Sequence, residues 1–192
     1  MRRLAAGLAA MAALAAAAEA RAQGLFDTFQ DLCVKTGAND AQAIAAAERQ
    51  GWTEAPAALV NEFSKLGLTD LDGRVKMENR KLKMVIAGRG APVISGDKIG
   101  LKVCAVGDKG ADLASLQKAA AEWAGTPPDP KLPSKIGQAY AFLEDGPGHT
   151  QVRADDLNTP AGKKLISAGR VSMLFVGAQG GVPLLVYAKP SM

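Results

Sequence analysis

Aromatic residues are scarce in this chain: phenylalanine, tyrosine and tryptophan make up 5% of its 192 residues. The core must then be filled largely by aliphatic side chains and alanine. Histidine occurs once and cysteine twice. One imidazole and two thiols, distant in sequence, do not supply the three or four ligands of a zinc site, so no metal is expected. Any serine or cysteine triad would depend on His149 alone, and no G-x-S-x-G elbow is present. Cys33 and Cys104 stand 71 positions apart, so the Cys-x-x-Cys motif of thiol-disulfide enzymes is missing too. Neither the P-loop pattern nor the dinucleotide pattern occurs, and no cofactor is expected. GDKGAD, after Cys104, comes nearest to a phosphate loop, but Asp112 places a negative charge where the anion would sit. No repeat at solenoid spacing is found.

What the chain does carry begins with a leader. Arg2 and Arg3 precede an uncharged apolar run, Leu4 to Ala18, and Ala20-Arg21-Ala22 follows as a small-x-small cleavage site. This order marks a secretory signal, residues 1–22, with cleavage expected after Ala22 and Ala20 as the second choice. The run is shorter than the roughly 20 residues of a bilayer span, and no later stretch is apolar enough to serve, so no transmembrane segment is expected after signal removal. Loss of Arg2, Arg3, Arg21 and Glu19 leaves 170 residues with 20 basic and 18 acidic side chains. A nearly balanced chain lacks the concentrated basic surface of a nucleic-acid binder. Its length suits one domain, 23–192, with a core large enough to support itself.

Export to an oxidising, periplasmic compartment changes the reading of the cysteines. Phe26, Phe29 and Cys33 recur at helical spacing and share one face. In LKVCAV, Leu101, Val103 and Ala105 alternate on one side of a strand, with Lys102, Cys104 and Val106 on the other. A helix packed on that second side brings Cys33 to Cys104, and a disulfide between them is expected.

The patterns predict α+β: helices over about 23–68, then an antiparallel sheet over about 73–192 crossed by one central helix. Helices are expected at 26–35, at 41–50 behind Asn39 or Asp40, and after Thr53 with Pro56 in the first turn. Arg74 to Ala87 alternates apolar and charged residues, as a strand or as a hairpin turning at Asn79-Arg80, followed by a loop from Gly88 to Gly96. Asp112 caps the central helix, TPPDPKLP is an extended connector, and Ile136–Leu143 is a strand. GAQGG joins the last two strands as a hairpin.

Three groups of residues could carry function. Arg74, Lys76, Arg80, Lys81, Lys83 and Arg89 face only Glu78 within sixteen residues. They could meet an anionic partner, such as an envelope protein or an anionic glycan or lipid surface; charges of this kind also protect sheet edges. Glu144-Asp145 and Asp155-Asp156 are neighbours whose side chains diverge on a strand, so neither pair is a ready acid/base dyad. His149 lies in EDGPGHT, a turn.

Phe29-Gln30-Asp31-Leu32-Cys33, the alanine helix ending at Gly51-Trp52, the cysteine of KVCAV and the helix from Ala111 to Trp123 follow one another in an order that resembles small exported proteins of Gram-negative bacteria without an assigned function. The resemblance implies a periplasmic α+β domain with paired cysteines and transfers no catalytic residue. The expected function is that of a non-catalytic binding or accessory protein of the cell envelope. The alternatives are an inhibitor of a periplasmic hydrolase, presenting EDGPGHT, and a hydrolase built from dispersed carboxylates with His149.

Overall fold

A computed structural model describes residues 22–94, 97–145 and 148–191. Residues 1–21 of the expected leader lie outside them. The first helix, α1, covers 22–29 and continues as a π-helical turn, Gln30–Val34. It begins one residue before the expected new N-terminus, with Ala22 buried. Asn39 caps α2 (Asp40–Arg49) by accepting from the Gln42 N–H. Thr53 does not cap a helix as its residue type suggested. It forms β1 (Thr53–Glu54), pairing with Val75, and Pro56 itself stands at the N-cap of α3 (Ala57–Ser64).

β2 (Leu68–Glu78) and β3 (Lys81–Gly90) form the expected hairpin. Asn79 and Arg80 both take positive φ, 50° and 61°, as a two-residue turn with the twist of its strands requires. β2 starts earlier than its charge alternation showed, because a bulge between Thr69 and Asp72, with Asp70 at positive φ, carries LTDLDG into the sheet. Likewise Gly88 to Gly90, expected in a loop, pair with Leu101 to Val103 and belong to β3. The short β4 (Val93–Ile94) and β5 (Asp97–Lys98) pair only with each other. β6 (Leu101–Asp108) leads to α4 (Leu113–Ala124), capped by Asp112. β7 (Gly137–Asp145), β8 (Gly148–Gln151), α5 (Ala154–Leu157), α6 (Pro160–Ser167), β9 (Val171–Gln179) and β10 (Val182–Pro190) complete the chain. Gly180 and Gly181, at φ 57° and 75°, make the last hairpin turn, a conformation for which glycine carries no Cβ penalty.

The fold is therefore α+β, and the hairpins join one antiparallel sheet of eight strands in the order β1-β2-β3-β6-β10-β9-β7-β8. Each face carries its own core. On one, α1, α2 and α4 cover Val85, Cys104, Val106, Leu174, Leu185 and Tyr187. The few aromatic side chains gather there: Trp123 meets Phe26, Phe29 and Phe142 edge-on at 5.8, 6.1 and 5.3 Å. On the other face, Phe63 of α3, Leu157 of α5 and Ile166 of α6 cover Met84, Ile86, Val103, Met173 and Val186. Cys33 and Cys104 are disulfide-bonded, with Cα atoms 5.3 Å apart and both side chains fully buried. The bond ties α1 to the middle of the sheet.

Candidate binding site

The sequence candidates are largely engaged in holding the fold. Arg74 donates to the Glu48 carboxylate at 2.8 and 3.0 Å and also pairs with Asp72. The hydrogen bond to Glu48 raises its pKa above the ordinary arginine value. Lys76 donates to the Gln50 carbonyl at 3.0 Å, and Lys83 pairs with Glu78. Arg89 lies 3.9 Å from both Asp40 and Asp70. Arg80 and Lys81 stand apart from these four, exposed at the tip of the β2–β3 hairpin. Alternate charged residues of β2 and β3 thus stitch α2 to the sheet.

His149, on β8, packs its ring 4.1 Å from Trp123 and 4.5 Å from Phe142, and its Nδ1 lies 2.9 Å from the Trp123 carbonyl. The imidazole closes an aromatic cluster. Glu144, opposite it in register, accepts from the Tyr187 hydroxyl and, at 2.7 Å, from Lys189. Burial opposes the charge of Glu144, but the hydrogen bonds from Lys189 and Tyr187 outweigh it and hold the carboxyl below the usual glutamate range. Tyr187 is pushed far up by burial and by the Glu144 carboxylate, and its hydroxyl also lies 3.0 Å from Ser172. Asp155 pairs with Lys131, while Asp156 caps its own short helix at the Arg153 N–H. In the GDKGAD loop, Asp108 accepts from the Gly110 N–H and Asp112 from the Ser115 N–H. The loop's own carboxylates occupy donors a phosphate would need. No group of three or more side chains able to hold a metal ion occurs among the described residues.

A different place has the shape of a binding site. On the second face, α3 stands to one side and the 133–136 segment to the other. Between them a cleft of about 650 Å³ runs over β6 and β10. Its floor is made of Val103, Ala105, Val186 and Ala188, none more than 7% exposed. Phe63, Leu66 and Leu68 form one wall, Ile136 and Phe175 the other, and Gly90 to Pro92 close an end. Small residues create the space. Val186 and Ala188 of β10 face Ala105 and Val103 of β6, with Gly88 of β3 beyond Val103, so no floor side chain is larger than valine. Among the described lining residues only Ser134 and Lys135 carry polar side chains. Ser134 Oγ accepts from the N–H groups of Ile136 and Gly137 at 3.3 and 3.1 Å, shaping the turn that presents Lys135. Asp129, 6% exposed, anchors the same segment by accepting from the N–H groups of Lys131 and Ala154 at 2.9 and 2.8 Å.

The space lies within the usual range of ligand pockets, which are concave, mostly apolar and marked by few polar groups. A water needs two to four polar partners to be held well, and this floor offers none. An apolar molecule entering the cleft gives up little to displace such water. Sequence reasoning missed the site because its lining comes from six separated segments. One signal was present: β6 and β10 are apolar at nearly every position, as strands covered on both faces are, and the second face of each carries alanine where its neighbours carry larger residues. No protein-family model matches the chain, and neither the curated proteins nor the solved structures contain a significant match.

Proposed function

We propose that this protein acts by binding, not catalysis, and that it holds an apolar small molecule in the cleft over β6 and β10. The observation that carries the reading is the pairing of a 650 Å³ space with a floor of small apolar residues between apolar walls. A monomeric protein gains stability by filling such space with its own side chains; leaving it open fits a ligand. The buried disulfide and the leader pattern support an exported, periplasmic carrier or accessory protein of the cell envelope. No helix among the described residues is long and apolar enough to cross a membrane.

The test uses an uncharged fluorescent apolar probe, N-phenylnaphthylamine, titrated into protein purified without reductant. Saturable binding to the wild type is expected, with loss in Ala188→Phe, whose ring fills the floor. Leu66→Trp, at the half-exposed wall, provides a second block that disturbs packing less. Unchanged probe affinity in both folded variants, or no saturable binding to the wild type, overturns the reading.

A further inference from the structure

We infer that the occupant of the cleft is a free single-chain amphiphile with an anionic head, held head-first against Lys135 with its tail along β6 toward Leu101 and Pro92. The inference rests on the proposed apolar cleft and adds the ligand's charge, chain number and direction.

Charge comes from the lining. Among the described lining residues Lys135 is the one charged side chain, and no carboxylate lies among them. Its backbone is fixed by the Ser134 turn, two residues before Gly137, which pairs with Gly177. A compact, exposed ammonium beside an apolar channel attracts a carboxylate and repels a cationic head.

Direction comes from the register. Residues facing the cleft fall in rows across the strands. Phe175, Val186 and Ala105 form the row next to Gly137 and Gly177; Ala188 and Val103 form the next; Leu101 and Gly90 form the third. From Ala105 to Leu101 the floor advances four residues, about 13 Å at the rise of a strand. Lys135 therefore belongs to one end and Pro92 to the other. Chain number comes from width, because the floor spans essentially two strands, β6 and β10, whose axes lie about 5 Å apart. That strip suits one alkyl chain better than two.

The experiment is displacement of N-phenylnaphthylamine by dodecanoate, dodecanol and dodecyltrimethylammonium below their micelle concentrations, on wild type, Lys135→Gln and Lys135→Glu. Lys135 is exposed, so both variants are expected to fold. Dodecanoate should bind about three- to fivefold tighter than dodecanol, the size of a rim-exposed ion pair. The preference should vanish in Lys135→Gln and reverse toward the cation in Lys135→Glu. Within the acids, affinity should rise about fourfold per methylene from octanoate and then level off where the tail reaches the Pro92 end. Vesicles of phosphatidylglycerol, whose chains are paired in a bilayer, should not retain the protein.

If the three head groups bind equally and the Lys135 variants change nothing, the head assignment fails while the cleft reading stands. If the vesicles retain the protein and free dodecanoate displaces nothing, a membrane lipid replaces the free acid. If no amphiphile displaces the probe and Ala188→Phe leaves probe binding intact, both readings fall together.

Discussion

Replacing both cysteines, Cys33→Ala with Cys104→Ala, gives the sharpest test of how the fold is held. The two positions are 71 residues apart, so the bond closes a long loop and removes many conformations from the unfolded chain. On the chain-entropy model a loop of that length is worth about 4 kcal/mol. The native structure contributes a smaller, separate loss: both sulfurs are completely buried between α1 and the sheet, and alanine leaves two small gaps there. At this chain length 1 kcal/mol corresponds to roughly 2–4 °C, so the double variant should melt about 8–16 °C below the wild type. Because the main effect lies in the unfolded state, the denaturant slope m should rise as the unfolded chain expands, while far-ultraviolet circular dichroism of the native protein stays the same. Urea unfolding of both proteins, followed by tryptophan fluorescence, measures the midpoint and the slope together. A double variant within 1 kcal/mol of the wild type, with an unchanged slope, would refute the entropic account and make the bond a passenger of the packing.

Four further outcomes follow from particular contacts. Tyr187→Phe removes the hydroxyl that Glu144 accepts from and should cost about 1–3 kcal/mol, read by chemical unfolding. The Glu144 carboxyl titrates below the ordinary glutamate value of 4.5, so its charge stabilises the fold above that pH and the benefit is lost as pH falls through the lower folded-state value; the stability gap between wild type and Glu144→Gln should be full at neutral pH and close on acidification. Asp129→Ala leaves the N–H groups of Lys131 and Ala154 without their acceptor, should cost about 1–3 kcal/mol, and should expose the 126–136 segment to limited proteolysis before the rest of the chain is cut. His149→Ala should lower stability by about 1 kcal/mol through lost ring packing and shift the Trp123 emission, while leaving probe binding in the cleft unchanged; a lost ligand-binding signal in a folded His149→Ala protein would contradict the separation of the two faces.

The sequence made the fold class and the staple legible because both depend on local periodicity. Phe26, Phe29 and Cys33 mark one helical stripe, and Cys104 alternates with Val103 and Ala105; those two patterns sufficed to bring the sulfurs together. The hairpins at Asn79-Arg80 and at Gly180-Gly181 could be read from turn residues. What lay beyond local pattern was pairing order. Nothing in LTDLDG announces a bulge that keeps Leu68 in β2, because a bulge is set by the partner strand as much as by its own residues. Thr53 and Pro56 read as a helix start, yet the register with Val75 drew Thr53 into the sheet. The charged residues of β2 and β3 looked like an open surface because Glu48 and Gln50, which engage Arg74 and Lys76, lie 26 positions away. The cleft was the least legible feature, since it is defined by side chains too small to fill the space between α3 and Ile136.

The floor of that cleft is also a seam. In the large sheet, β1, β2, β3 and β6 come from residues up to Asp108 and β7 to β10 from Gly137 onward, and the two groups pair only through β6 and β10, over seven residue pairs from Leu101–Pro190 to Gly107–Leu184. The disulfide closes within the earlier group and restrains no strand across this join. Opening there would part the protein into a stapled portion and an unstapled one, a natural boundary for sub-global unfolding. A molecule lying along the floor touches both banks, Ala105 on one and Ala188 on the other. Occupancy then sets how firmly the banks stay together, and amide exchange in β10 becomes a gauge of whether the cleft is filled.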